Sequence, residues 1–452
     1  MVLAGSVGTI IDYYDFFIAA TAASLIWPSV FFAGLPAAEV AFLSLFSFAA
    51  LYLVRPLGAY FFGHLGDRLG RRDVLVLTLA LTFVGVAGIA VLPPLGLTSV
   101  VLLILLRMIQ GFGLGGEFGG VASWISEFAV QSRHRSFWTG WIAVSINLGV
   151  LLASGVFALA AGSMPRSALL AYGWRIPFVI GAVVLVAGGV IRWRLAESPL
   201  FEKLRGESKV MARPAESVLR ERWKTIVLLT GSFVFVTGTM GMLLQGPYFL
   251  TLVTSGHTIG IASATEILTL ASAAAVFSSL LGMTLGDIVG RKLTMVAFSA
   301  AGLVMLIPFY FSVETFDWAT IALGATVFSF VATAGIGAQP ALFAEQFPTR
   351  YRYSGAGMPY QLAGFIAGML IGVVEPAIIS AAGGVREAAL PLFIVGGGVI
   401  AVGVVSQLFL RETKGISLTY EDQGNMPPGP GLPGSLRADG SPSHPKERTR
   451  LG

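Results

Sequence analysis

Apolar runs long enough to cross a bilayer recur along this chain up to about residue 410, and they constrain its fold before any motif is considered. A transmembrane helix needs about 20 consecutive, mostly apolar residues. Such runs stand at 5–31, 39–62, 73–93, 98–124, 136–161, 174–194, 224–253, 261–284, 292–312, 316–343, 353–380 and 388–410. With 55% hydrophobic residues, 12% charged residues and a mean hydropathy of +0.80 over 452 residues, polar side chain is too scarce to cover a soluble surface. The expected fold class is an all-α polytopic membrane protein with twelve transmembrane helices and the lipid bilayer as its solvent.

The basic residues fix the orientation. Every second connection, beginning with that between spans 1 and 2, holds almost no Lys or Arg, only Arg166, Arg175 and Arg386. The opposite set holds Arg68, Arg71, Arg72, Arg133, Arg135, a cluster from Arg192 to Lys224, Arg291, Lys292, Arg350, Arg352, Arg411 and Lys414. By the positive-inside rule both termini are cytoplasmic and the chain is expected to be a multi-pass protein of the cell membrane. This dispersal over short loops also explains the pI of about 9.5 without a nucleic-acid partner. The first run carries Asp12 and Asp15 and has no basic leader or cleavage pattern, so a retained helix is expected rather than a signal peptide. The absence of cysteine excludes disulfides and thiolate metal sites.

Two six-helix halves are expected, at 1–195 and 223–411, joined by a charged cytoplasmic linker at 196–222. The tail, 412–452, turns to Pro, Gly and Ser, and disorder is expected from about 421. Three features recur at one offset. Asp67 and Asp287 are 220 residues apart; Glu127 and Glu345, each followed by two arginines, 218; Arg194 and Arg411, each ending a span, 217. Both copies start inside, so the repeats are parallel, related by an axis along the membrane normal.

Five patches then resemble the major facilitator superfamily over nearly the whole chain except the tail. They are the loop Gly63 to Arg72; Arg107, Gln110, Gly111, Gly115, Gly116 and Glu117; Glu127 with Arg133 and Arg135; Trp174 to Phe178; and Arg411 to Gly415. The resemblance implies a transporter rather than an enzyme, with a cytoplasmic latch built from Gly63, Gly66, Asp67, Arg68, Gly70 and Arg71. Glu127, Arg133, Arg135, Asp287, Arg291, Glu345 and Arg350 are expected to complete the gate, with Glu197 and Glu412 able to join it. In the second copy Met283 replaces the first glycine and Ile288 the first arginine, so a weaker latch is expected there.

Ionisable residues inside the bilayer are functional candidates by default. Asp12 and Asp15 are three apart on span 1 and so share a face, Arg107, Gln110 and Glu117 form a stripe on span 4, and Tyr52 and Arg55 share a face of span 2. The first of these faces is expected to line a polar cavity. Asp15 is the expected proton carrier, with Arg107 as its partner and Asp12 beside it; Arg55 either balances Asp12 or Glu117 or touches substrate. Asn147 in span 5 and, in the second half, Gln245 and Tyr248 on one face of span 7, with Gln339, Tyr360 and Gln361, are neutral hydrogen-bonding candidates for the cavity. Glu375 is expected near the external end of span 11, wetted.

The run Gly8 to Phe16, together with Arg55 to Gly58, Gly115 to Glu117 and Trp174 to Phe178, resembles the metabolite:proton symporters of organic acids and zwitterions, which usually have Glu where Asp12 stands. That resemblance implies proton-coupled uptake of a small-molecule substrate by a functional monomer, with protons as coupling ion, no metal and no other cofactor. A sugar porter is the nearest alternative, although span 7 offers only Gln245 to it. A drug/proton antiporter is a weaker one, since no proline falls between Ser136 and Gly162. The four histidines, His64, His134, His257 and His444, are too scattered for a metal site.

Overall fold

The computed structural model describes residues 2–194, 196–255 and 259–418. His257, His444 and the tail beyond 418 lie outside the described residues, as does the side chain of Asp12. Twelve long helices follow the apolar runs: α1 (Val2–Leu25), α2 (Ala37–Leu69), α3 (Arg71–Ala90), α4 (Leu97–Phe128), α5 (Arg135–Ser163), α6 (Arg175–Trp193), α7 (Pro214–Thr254), α8 (Ile261–Ile288), α9 (Arg291–Glu314), α10 (Trp318–Glu345), α11 (Thr349–Ala382) and α12 (Ala389–Phe409). Several outrun the hydrocarbon thickness, α2 by more than two turns, and carry charged ends past it.

Helices α2, α3 and α4 pack closely in the first half, as α8, α9 and α10 do in the second. The two sets meet along two seams, α2 against α11 and α5 against α8. Small residues set these distances, because helix association in lipid relies on close backbone approach. At Gly111 and Gly115 of α4, an added Cβ would strike the backbone of Leu51 and Arg55 on α2. Outward faces present Leu57, Phe277, Phe311 and Leu323, each more than 60% exposed, as expected of surfaces that contact lipid.

Three helices are irregular. In α7 the α-helical part ends at Val234, two π-type segments follow (Phe235–Thr239 and Gly241–Gln245), Gly246 is extended, and helix resumes at Pro247. Gln245 and Tyr248 therefore stand on either side of a break and do not share a helix face, contrary to expectation. In α10 a tight turn, Gly335–Ala338, precedes Gln339, and in α11 a π-type segment, Leu370–Val374, precedes Glu375. The stretch between α6 and α7 is less open than its charge implies. It holds a short helix, Pro199–Gly206, capped by Ser198 and anchored by the buried Phe201 and Leu204.

Candidate functional site

The centre of the molecule is a buried cluster on the facing stripes of α1 and α4. Asp15, Arg107 and Gln110 are each at most 1% exposed. Arg107 and Gln110, three residues apart on α4, point the same way, and Arg107 Nη1 donates to Gln110 Oε1 at 2.8 Å. The same Nη1 lies 3.5 Å from Asp15 Oδ2, and the Gln110 amide donates to that oxygen as well. Asp15 Oδ1 and Arg107 Nε and Nη2 have no hydrogen-bond partner. One carboxylate oxygen is thus left over for a proton, and one edge of the guanidinium for an acceptor.

Arg55 lies beside this cluster. It is buried, sits 5.1 Å over the Tyr52 ring, and reaches Gly364 of α11. Its Nε is unpartnered, and among the described residues no carboxylate pairs with it.

Glu117 does not belong to this region. It is clasped by Arg192 of α6, whose two Nη atoms reach its two oxygens, with Thr78 of α3 at 3.4 Å. The expectation that Glu117 lines the cavity or balances Arg55 fails because Arg192, counted in the sequence only as part of a cytoplasmic cluster, turns inward. Helical phase separates Arg192, 1% exposed, from the exposed Arg194 two residues on.

The neutral candidates divide. Tyr360 is stacked between Phe118 and Phe233, at 3.7 and 4.5 Å, and its hydroxyl meets that of Tyr13 on α1, a residue not singled out in the sequence. Asn147 is spent on the α5/α8 seam, donating to Ala143 O and to Ser279 Oγ at 3.2 Å. Gln361 donates to Leu114 O at 2.9 Å. Tyr248 donates to Val385 O at 3.0 Å near the external end, far along the chain from the cluster's helices. Gln245 is half-buried at the α7 break. Gln339 is 1% exposed with both amide atoms unpartnered, which leaves it able to bind a ligand. Glu375, expected to be wetted, is 3% exposed.

The cytoplasmic face is closed by a crossed network. Asp67 accepts from Tyr353 N, Ser354 N and Ser354 Oγ at 3.1, 2.9 and 2.8 Å, and so caps the start of α11 in the other half. Asp287 does the same for α5, accepting from Ser136 N and Phe137 N, both at 2.9 Å. Arg71 and Arg291 flank these carboxylates at 3.1 and 3.2 Å. Glu127 links Arg71 to Arg352, and Glu345 links Arg291 to Arg135, so each glutamate joins both halves. Glu197 caps α3 through Arg71 N and Arg72 N, and Glu412 caps α9 through Arg291 N and Lys292 N. Gly70 and Gly290, with φ of 128° and 129°, make the sharp turns that aim these helices, a conformation other residues rarely take. Gly63 and Gly66 pack against Ser354 and the Tyr353 ring.

Three gate expectations need correction. Arg68 and Arg133 are exposed and form no ion pair among the described residues. Arg350 pairs with Glu221 at the surface, at 3.1 Å, while Arg352 takes the buried place. The second latch does carry fewer bonds, as expected, but Ile288 and Met283 are not the cause. Ile288 occupies the position of Arg68, which does nothing in the first latch, and Met283 is accommodated by Gly140 across the seam. The second latch lacks the hydroxyl bonds of the first, since Ser136 Oγ and Thr413 Oγ1 are unpartnered where Ser354 Oγ donates to Asp67 and Ser198 Oγ to Glu127. Among the described residues Arg291 also makes no counterpart of the bond from Arg71 Nη2 to Thr349 O at 2.7 Å.

Opposite charges buried at mid-membrane, under a face held shut by bonds between two helix sets, define a membrane transporter. The chain belongs to the Major Facilitator Superfamily, whose sequence profile matches residues 6–358. It is 30% identical over 375 residues to the inner membrane metabolite transport protein YhjE of Escherichia coli K12, covering 81% of this chain and 84% of that one. It is 29% identical over 392 residues to the shikimate transporter of the same organism, covering 82% and 86%. Its fold matches that of the proton:xylose symporter XylE of E. coli, bound to 6-bromo-6-deoxy-D-glucose, with a TM-score of 0.74 at 20% identity over 92% of this chain and 96% of that one. The protein is therefore a multi-pass membrane transporter of metabolites, not an enzyme.

Proposed function

We propose that this transporter carries a small carboxylate-bearing metabolite into the cell together with a proton, by alternating access around the Asp15, Arg107 and Arg55 region. The observation that carries the reading is the buried Asp15–Arg107 pair with one carboxylate oxygen free. Neutralising Asp15 by a proton releases Arg107 from its counter-charge, and a buried cation so released needs a new acceptor. A substrate carboxylate supplies one, which ties substrate binding to proton binding. A second buried guanidinium, that of Arg55 beside the pair, favours the same ligand class, and the shikimate carried by one relative is a carboxylate. The hydrogen bonding of Asn147 and Gln361 counts against a sugar, since their amide donors serve helix contacts. Gln339 and the Tyr13–Tyr360 pair are assigned to the substrate cavity.

The test is Asp15→Asn in proteoliposomes. Accumulation driven by an inward proton gradient should vanish while exchange of substrate down its own gradient persists. A variant that still accumulates substrate against a gradient removes Asp15 from the proton path.

A further inference from the structure

Glu375 is a buried carboxylate that the central site does not use. It opens the outer segment of α11 directly after the π-type turn Leu370–Val374, and its Oε2 has no hydrogen-bond partner. Since α11 starts at the cytoplasmic latch, Ala382 is its external end, and Glu375 lies roughly 10 Å beneath it at 1.5 Å per residue. Among the described residues no cation pairs with it. From α7 it is faced by Tyr248, which also faces Glu314 and Tyr310 of α9. On the α12 side Arg386 is engaged elsewhere, donating to Ser255 Oγ at 2.9 Å over the Phe316 ring. From α2, Ala49 packs on Gly372, and no charged side chain of that helix meets Glu375 among the described residues. Ile371, four residues earlier on the same face of α11, is a buried apolar neighbour.

An ionised carboxylate is not sustained in such a place without a cation, whereas the neutral acid is. We propose that Glu375 is a second proton-binding site, reached from the external face, and that the outer seam between α2, α7 and α11 shuts only over its protonated form. Opening wets the carboxyl and lets it release one proton to external water; closing takes one proton back. The closed state binds the extra proton, so its population falls as external pH rises. This site is independent of Asp15 and of the substrate's identity.

The chain has no cysteine, so a single introduced thiol reports seam opening. Ala49→Cys, at the α2/α11 contact, is labelled with a membrane-impermeant maleimide in substrate-free proteoliposomes over an external pH of about 5 to 8, and its rate is divided by that of the exposed Leu97→Cys. With Glu375 present the ratio should rise with pH, by at most about tenfold per unit for one linked proton. With Glu375→Gln, which copies the neutral acid, it should stay low and flat. A pH profile that survives Glu375→Gln, or a flat profile with Glu375 intact, overturns the proposal. So does failure of Glu375→Gln to fold, because the seam is held to accept that form.

Discussion

Arg55 and Arg192 are both buried cations in the first half, and their partners set their roles apart. Arg192 is satisfied by Glu117, so the pair is structural. Glu117→Gln alone should strand a buried charge and cost about 3 to 5 kcal/mol, while the joint replacement Glu117→Leu with Arg192→Met should be close to neutral. Thermal unfolding in detergent reads both, and equal losses for the single and joint replacements would contradict this assignment. Arg55 is placed in the proposed substrate site with an unpartnered Nε, and on that reading its removal should be tolerated by the fold but not by the ligand. Arg55→Gln should weaken carboxylate binding about tenfold to a hundredfold, the worth of a hydrogen bond between charged groups. Arg55→Lys should not restore it fully, because a point charge lacks the guanidinium fork. Unchanged affinity in a direct binding measurement would remove Arg55 from the substrate site. At this scale the sequence was half legible. Spacing alone put Asp12 and Asp15 on one face, and Arg107 with Gln110 on another. It did not show that Arg192 rather than Arg55 answers Glu117, because that depends on which face of α6 meets α4.

Among the elements, the cytoplasmic loops read best. The Gly, Asp and Arg residues at the cytoplasmic end of α2 and the start of α3 named the latch, and Asp67 and Asp287 both cap helices of the opposite half. What stayed hidden was the crossing. Glu127 precedes Arg133 and Arg135 in the chain, yet Arg135 begins α5 and is carried to Glu345, while Glu127 receives Arg352 from α11. Sequence neighbours misled here because a helix start lies between them. Asp67 accepts three bonds from the opposite half and Asp287 two, so both Asp67→Ala and Asp287→Ala should weaken cytoplasmic closure, Asp67→Ala the more. Distances between spin labels at the cytoplasmic ends of α2 and α11, and of α5 and α8, should broaden toward longer separations in both variants. A larger effect of Asp287→Ala than of Asp67→Ala would contradict the weaker second latch. The breaks in α7, α10 and α11 were also invisible to hydropathy, which averages over a turn and does not sense a single π-type segment.

For the whole molecule, hydropathy and charge were enough to give twelve helices and cytoplasmic termini, and the constant offset gave the repeat. The chemistry is not repeated with the fold: where symmetry places a partner to Arg107 the second half has Gly324, and the cluster of opposite charges lies in the first half alone among the described residues. On the proposed mechanism, rocking of two similar halves about the α2/α11 and α5/α8 seams would expose one asymmetric site to either side. Coupling then requires that substrate and proton move together. The most direct measurement is proton flux in proteoliposomes loaded with a pH-sensitive dye, with a small carboxylate such as shikimate added outside and no imposed pH gradient. The account predicts that uptake acidifies the lumen in proportion to substrate entering, and that Asp15→Asn abolishes the acidification. Substrate entry with no lumenal acidification would contradict it.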